Sequence, residues 1–216
     1  MYPLDNIDAA IFDMDGTLAH NMPLHWQAFA VFIDKYQLQI PGPAVAASLS
    51  GKRNREIMPI LFERALDAAA IEAYSEEKEA IYRELIADLQ PVGGLDTLLD
   101  TLVARGVKLA VATSAPRSNV APMFAQLGLV SRFPVVVLGE EVPNSKPAPD
   151  IFLEAARRLG VAPARCVVFE DAYAGIAAAK AAGMRCIALA TTHTPDELRT
   201  NAMPDLIIPD FTAVVV

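Results

Sequence analysis

Phe12-Asp13-Met14-Asp15-Gly16-Thr17 is the stretch on which the reading of this chain turns. Upstream of it, Ile7 to Phe12 is apolar except for Asp8 and reads as a short buried strand. The strand ends on two aspartates one residue apart. In extended backbone, residues i and i+2 point to the same side. Both carboxylates would then face one site past the carboxyl end of the strand, where ligands sit in open α/β sheets. Gly16 lets the chain turn away without a Cβ clash. Two carboxylates this close repel unless a cation or a shared proton relieves them. The plain alternative is a strand followed by an Asp15-Gly16 turn, so the rest of the chain has to decide.

Residues 17–90 carry helical patterns and no convincing strand. Leu24 to Tyr36 has apolar residues at helical spacing, and Ile40-Pro41-Gly42-Pro43 breaks it. Arg55 to Leu66 is helical in pattern, with Pro59 at a kink or a first turn. Ser75 followed by Glu76 and Glu77 reads as the start of a helix running to about Leu89.

From Pro91 onward, strands and helices alternate. Helices are expected from Gly94 to Ala104, Ser118 to Leu127, Asp150 to Leu159 and Ala174 to Ala182, each closed by a glycine within two residues. Strands are expected at Val107 to Ala112, Val135 to Leu138, Cys166 to Phe169, Cys186 to Leu189 and, short, Leu206 to Ile208. Thr194-Pro195-Asp196-Glu197 is a capping box with proline at the first helical position. This alternation predicts an α/β fold: a Rossmann-like parallel core (1–16 and 91–216) interrupted by a helical insert (17–90). The alanine-rich Ala174 to Gly183 segment reads as a surface for tight packing on the sheet.

The 216 residues are 53% hydrophobic, enough for one or two domains with a real core. The net charge is -8 and no basic stripe stands out, which argues against nucleic-acid binding. No apolar run reaches the length of a membrane span, and no basic-then-apolar leader opens the sequence. Cytoplasmic location and a monomeric state are the expectations. Cys166 and Cys186 each open an apolar run and read as buried thiols in neighbouring strands.

The strand ends are polar: Asp13 and Asp15, Thr113 and Ser114, Glu170 and Asp171. Lys146 follows a fourth strand, in Asn144-Ser145-Lys146-Pro147-Ala148-Pro149-Asp150. Each has a plain reading as a helix cap or a solvated loop residue. In a parallel sheet, however, these ends converge on one place.

This order of motifs resembles the four motifs of the haloacid dehalogenase superfamily of phosphotransferases, over nearly the whole chain. The insert resembles a type C1 cap. Lys146 to Asp150 and Val167-Val168-Phe169-Glu170-Asp171-Ala172-Tyr173-Ala174-Gly175-Ile176 resemble the β-phosphoglucomutase-like branch, which includes sugar-phosphate phosphatases, phosphomutases and some pyrophosphatases. The resemblance implies roles. Asp13 would be the nucleophile that forms an aspartyl phosphate. Asp15 would protonate the leaving oxygen and later deprotonate water. Thr113 and the backbone at Ser114 would hold phosphoryl oxygens, and Lys146 would bridge Asp13 and the phosphoryl group. Asp171, Asp13 and the Asp15 carbonyl would hold Mg²⁺, with Glu170 helping through water. In the cap, His25 lies where relatives carry a histidine that reaches the leaving group. Lys52, Arg53 and Arg55 sit in a basic loop like one that binds a distal phosphate, and either arginine fits that role.

The expected activity is Mg²⁺-dependent hydrolysis of a small phosphorylated metabolite, a sugar phosphate first. A β-phosphoglucomutase-type phosphomutase and an inorganic pyrophosphatase are the alternatives, and a non-catalytic phosphate-binding module ranks last. His20-Asn21 stands where the mutases carry an acidic residue followed by threonine, which counts against mutase chemistry and leaves hydrolysis untouched.

Overall fold

The computed structural model describes residues 2–42, 45, 49 and 51–215. Two short parallel strands, β1 (Tyr2–Pro3) and β8 (Val214–Val215), pair beside the main sheet. At the centre of that sheet is β2 (Ala9–Phe12), whose four residues are all buried. It lies between β3 (Lys108–Thr113) and β5 (Cys166–Glu170). Outside these run β4 (Val135–Leu138) on one side, then β6 (Arg185–Leu189) and β7 (Leu206–Ile208) on the other. The order is β4-β3-β2-β5-β6-β7, with every pairing parallel. Parallel strands are covered on both faces, which is why they read as continuous apolar runs.

Between β2 and the remainder of the sheet run α1 (Met22–Lys35), α2 (Asn54–Leu61) and α3 (Ala68–Leu85), and among the described residues Val45 and Leu49 are helical as well. They hold a small core of their own around Phe32, Ile57, Met58 and Leu61. Helices α4 (Leu95–Ala104) and α5 (Arg117–Gln126) cover one face of the sheet, burying Leu98, Leu99, Met123 and Phe124 with Phe12 and Phe169. The Phe12 and Phe169 rings stack 4.7 Å apart. Helices α6 (Asp150–Leu159), α7 (Tyr173–Ala181) and α8 (Pro195–Asn201) cover the other face with Ile151, Phe152, Ile176, Ala178 and Leu198. The result is the expected Rossmann-like parallel core with a helical cap inserted after its first long strand. Among the described residues no helix is long and apolar enough to cross a membrane.

Most elements of the alternating region lie within a residue or two of expectation. Cys166 and Cys186 are buried free thiols on the paired strands β5 and β6. Thr194 caps α8 through its capping box with Glu197. The α7 helix packs on the sheet with Gly175, Ile176, Ala178 and Ala179 buried.

The insert differs from its sequence pattern in three places. Helix α3 starts at Ala68, seven residues before Ser75, because Asp67 accepts a hydrogen bond from Ala70 N at 2.7 Å. Ser75 lies inside the helix and donates to the Ile71 carbonyl at 2.6 Å, so its cap-like chemistry is spent on the preceding turn. The helix ends at Leu85 rather than Leu89. Helix α2 ends at Leu61, where Glu63 takes a left-handed φ of 51°. Helix α1 stops at Lys35, with Gln37 at φ 52°, before the Pro41 break comes into play; Pro43 lies outside the described residues. The two-residue strands β1 and β8 carry too little periodicity to be read from sequence.

The two candidate starts of α3 are separable by thermal unfolding. Asp67→Ala should cost about 1 kcal/mol, the usual loss for an N-cap. Ser75→Ala, at a mid-helix position, should stay within about 0.5 kcal/mol of the parent. A larger loss at Ser75 than at Asp67 would contradict the observed boundary.

Candidate active site

Sheet register sets the first contacts. Phe12 is level with Phe169 on β5, so the next residues, Asp13 and Glu170, stand side by side at the carboxyl end. Asp13 N still donates to Phe169 O at 2.9 Å, which carries the ladder one residue past the strand. Gly16 then turns the chain at φ 81°. A Cβ on Gly16 would lie 2.1 Å from an Asp171 carboxylate oxygen, so glycine is required here for closeness as well as for conformation.

Lys146 comes up from the loop after β4 and is buried between two carboxylates. Its Nζ lies 2.5 Å from Asp13 Oδ1 and 2.7 Å from Glu170 Oε1. Burial alone would depress the Lys146 pKa, but Asp13 and Glu170 reverse this and raise it. Asp13 is pushed up to about 7, first by burial and then by the Glu170 and Asp15 charges, with Lys146 opposing. The second oxygen of Glu170 accepts from Asp171 N at 2.7 Å and from Ala172 N at 2.6 Å, beside the start of α7. Both Glu170 oxygens are therefore already engaged. A Cβ on Gly175 would fall 1.6 Å from Glu170 Oε1, which gives the glycine of that sequence motif a steric reason.

Asp171 is buried and bonded through one oxygen to Thr192, while Thr17 approaches the other at 3.4 Å. Burial and then the Glu170 and Asp13 charges raise its pKa well above the ordinary carboxylate range. One carboxylate oxygen from each of Asp13, Glu170 and Asp171 lies within 4.8 Å of the others. Three carboxylates face one ammonium in a buried space. That excess of negative charge and the all-oxygen donor set fit a hard divalent cation.

The Asp15 side chain is outside this cluster. Its Oδ1 accepts from Asn21 Nδ2 at 2.6 Å and lies 3.2 Å from His25 Nε2, an ion-pair distance without hydrogen-bond alignment. Burial opposes ionisation of Asp15, but His25 and Asn21 outweigh it and hold the carboxyl below its usual range. The His25 ring stacks on Tyr82 at 3.8 Å, and its Nδ1 lies 2.9 Å from Lys78 Nζ. Lys78 pairs in turn with Glu79 at 3.0 Å, and Glu79 accepts from Asn119 on α5 at 2.7 Å. A buried polar chain thus runs from the core through the cap and back.

Thr113 and Ser114 reach the same space from β3. Thr113 Oγ1 accepts from Ala115 N at 3.0 Å, and Ser114 Oγ donates to the Gly51 carbonyl of the cap at 2.9 Å. A cavity of about 730 Å³ opens over these groups. On the core side it is lined by Asp13, Asp15, Thr113, Ser114, Glu170 and Asp171, and on the cap side by Met22, His25, Trp26, Phe29, Lys52 and Asn54 among others. Arg53 and Arg55 do not line it. Arg53 is buried and turned to the core, its Nη1 donating to Gly139 O at 2.8 Å, and Arg55 is exposed. The expected grip by either arginine is therefore not made in this arrangement.

Several residues at the site escaped sequence reading. Asn21, whose Oδ1 also accepts from Gly16 N at 2.8 Å, was visible only as an odd residue at its position. Lys78, Glu79 and Tyr82 sit in a helix whose charges look solvated until the fold buries them. Thr191 and Thr192 follow β6, and the strand-end argument applied to that strand would have found them. Thr191 Oγ1 donates to Gly16 O at 2.5 Å.

Residues 10–189 match the family model described as haloacid dehalogenase-like hydrolase. The chain is 35% identical over 185 residues to the phosphorylated carbohydrates phosphatase of Thermotoga maritima, covering 84% of each chain. It is 37% identical over 180 residues to the fructose-1-phosphate phosphatase YqaB of Escherichia coli K12, covering 82% of this chain and 93% of that one. Among solved structures, the family IA, variant 3 hydrolase of Entamoeba histolytica superposes with a TM-score of 0.88 at 27% identity, covering 97% of this chain and 96% of that one.

Gly175→Ala tests the packing around Glu170. The new methyl has to displace a carboxylate bonded to Lys146 and to two backbone amides, so the cost should match overpacking, about 1–3 kcal/mol. A fall of several degrees in the thermal midpoint is expected. An unchanged midpoint would show that Glu170 moves aside freely.

Proposed function

The chain belongs to the haloacid dehalogenase-like hydrolase family and is a phosphoric monoester hydrolase, and from that premise we propose that it hydrolyses a small phosphorylated metabolite, a sugar phosphate first, through an aspartyl-phosphate intermediate. We take residues 1–16 and 91–216 as the catalytic core and 17–90 as the cap that selects the substrate. The observation that carries this reading is the Asp13 carboxylate, buried at the strand end, held by Lys146 and open to the cavity between core and cap.

Phosphate esters resist attack because their oxygens are anionic, so catalysis rests on positioning and on positive charge. Asp13 is placed to attack phosphorus, with Lys146 steering its carboxylate and neutralising incoming charge. Thr113 and the amides following β3 would hold phosphoryl oxygens. Asp15 stands beside the nucleophile on the cap side. Its ionised form, favoured here by His25 and Asn21, is the one that accepts a proton from water in the second half-reaction. The first half-reaction needs the same carboxyl protonated to release the leaving oxygen. Asp13, Asp171 and the Asp15 carbonyl would hold Mg²⁺, and Glu170 steadies Lys146 and the Asp171 backbone beside them. When bound, the cation supplies positive charge that offsets the repulsion between nucleophile and phosphoryl group.

Hydrolysis is favoured over phosphomutase chemistry by the cap wall. A mutase has to grip a second phosphate, and bidentate arginine is the side chain suited to it. Among the described residues no arginine lines the cavity, and Lys52 is left as the cap-loop cation that does. Relatives named for sugar phosphatase activity point the same way.

Wild type should turn over p-nitrophenyl phosphate with Mg²⁺ and fall silent with EDTA. Asp13→Asn should lower kcat at least about 1,000-fold, because the amide cannot carry the phosphoryl group. Asp171→Ala should raise the Mg²⁺ concentration needed. Near-parental turnover by Asp13→Asn would overturn the covalent route.

Hydrolase and mutase part on their products. With β-glucose 1-phosphate and a trace of the 1,6-bisphosphate, free phosphate should appear without glucose 6-phosphate. Glucose 6-phosphate in excess of free phosphate would reverse the choice. On a sugar phosphate that is turned over, Lys52→Ala should raise KM more than it lowers kcat, since a contact to a remote part of the substrate is the same in ground and transition states.

A further inference from the structure

The cap segment from Gly51 to Glu56 is tied to the core loop that carries Lys146. Arg53 is 6% exposed, although it is a charged residue from a loop. Its Nη1 donates to Gly139 O at 2.8 Å and to Val142 O at 3.3 Å, both between β4 and Lys146. Gly139 has no Cβ, and one added there would come within 3.2 Å of Arg53 Cδ, so the core backbone is shaped to admit this side chain. The other end of the guanidinium, Nη2, donates to Glu56 Oε1 at 3.0 Å. The same Glu56 oxygen accepts from Ser145 Oγ at 2.5 Å. Ser145 directly precedes Lys146, whose ammonium reaches Asp13.

A buried guanidinium is costly unless its hydrogen bonds are met, and Arg53 makes three from its five donors, two from Nη1 and one from Nη2, while Nε has no partner. Its fixed fork makes it a rigid spacer between the 139–142 backbone and Glu56. Glu56 is held on a second side as well, since Oε2 accepts from Arg53 N at 3.1 Å in the capping box of α2. The carboxylate therefore has little freedom, and burial is outweighed by Ser145 and Arg53, which keep it ionised below its usual range. A fixed anion bonded to Ser145 fixes the backbone from which Lys146 starts.

We propose that Glu56, braced by Arg53, is a positioning residue for Lys146: through Ser145 the cap sets the reach of the core lysine to Asp13. The proposal rests on the phosphoryl-transfer reading of the site for its effect on rate, but not for its effect on structure. It also gives a task to Arg53, one of the two arginines that the sequence offered as a substrate contact. Arg53 works on the catalytic lysine loop instead of on the ligand.

The test uses the full chain, p-nitrophenyl phosphate with Mg²⁺, and amide hydrogen exchange without substrate. Ser145→Ala and Glu56→Ala should each lower kcat about tenfold, the scale of one lost hydrogen bond to a charged group, with KM within about twofold. The double variant should be no slower than the slower single one, because both remove the same link. Glu56→Gln, which keeps an acceptor for Ser145, should recover most of the rate. Amides at 144–148 should exchange faster in both alanine variants, by about fivefold or more. Ser145→Ala removes one oxygen from a half-buried site and carries the test if Glu56→Ala folds poorly. Losses that multiply in the double variant, a rise in KM with kcat unchanged, or unchanged exchange at 144–148 would each overturn the proposal. If wild type turns over no phosphate ester, the phosphatase reading falls, and the exchange measurement still decides whether Glu56 orders the lysine loop.

Discussion

The ammonium of Lys146, buried between Asp13 and Glu170, is the interaction on which the rest of the site depends. Two carboxylates brought side by side by a parallel register would repel each other in a buried space. One cation between them makes the arrangement tolerable and leaves Asp13 facing the cavity. With Asp171 the local charge is still negative, and this residual charge is what a divalent cation would answer. The same balance explains why the pKa values of Asp13 and Asp171 move upward while the carboxyl of Asp15, with His25 and Asn21 for neighbours, moves downward. Neighbouring carboxyl groups in different environments suit different tasks.

Glycines permit this density of charge. Gly16 lets Asp171 approach the turn after Asp15, Gly175 makes room for Glu170, and Gly139 admits Arg53. At Gly16 and Gly139 the missing methyl is replaced by a side chain from a distant part of the chain, and at Gly175 by Glu170 from the end of the preceding strand. Backbone space at these points is thus part of the electrostatics, because a shift of an ångström would separate groups now within hydrogen-bond distance.

The cap contributes more than a roof over the cavity. It supplies His25 beside Asp15, the buried Lys78–Glu79 pair that ends on Asn119 of the core, and the Arg53–Glu56 link to the lysine loop. Core and cap therefore share polar networks on two sides of Asp13 and Asp15. Trp26, Phe29 and Lys52 line the cavity from the cap side.

By itself the sequence determined the alternating core, because buried parallel strands are unbroken apolar runs and the helices between them are closed by glycines. It also determined the strand-end residues, since a parallel sheet leaves no other place for Asp13, Thr113 and Glu170 to converge. Tertiary structure alone decided what depends on packing between distant segments. Ser75 has cap chemistry, yet Asp67 starts the helix. Arg53 and Arg55 look equivalent in a basic loop, yet one is buried against Gly139 and the other faces solvent. Lys78 and Glu79 look like an ordinary charged helix face until α1 and α5 cover them. Local pattern fixes where a side chain can point, but burial and partnership are set by what arrives from elsewhere in the chain, and that is where a charge becomes part of a site.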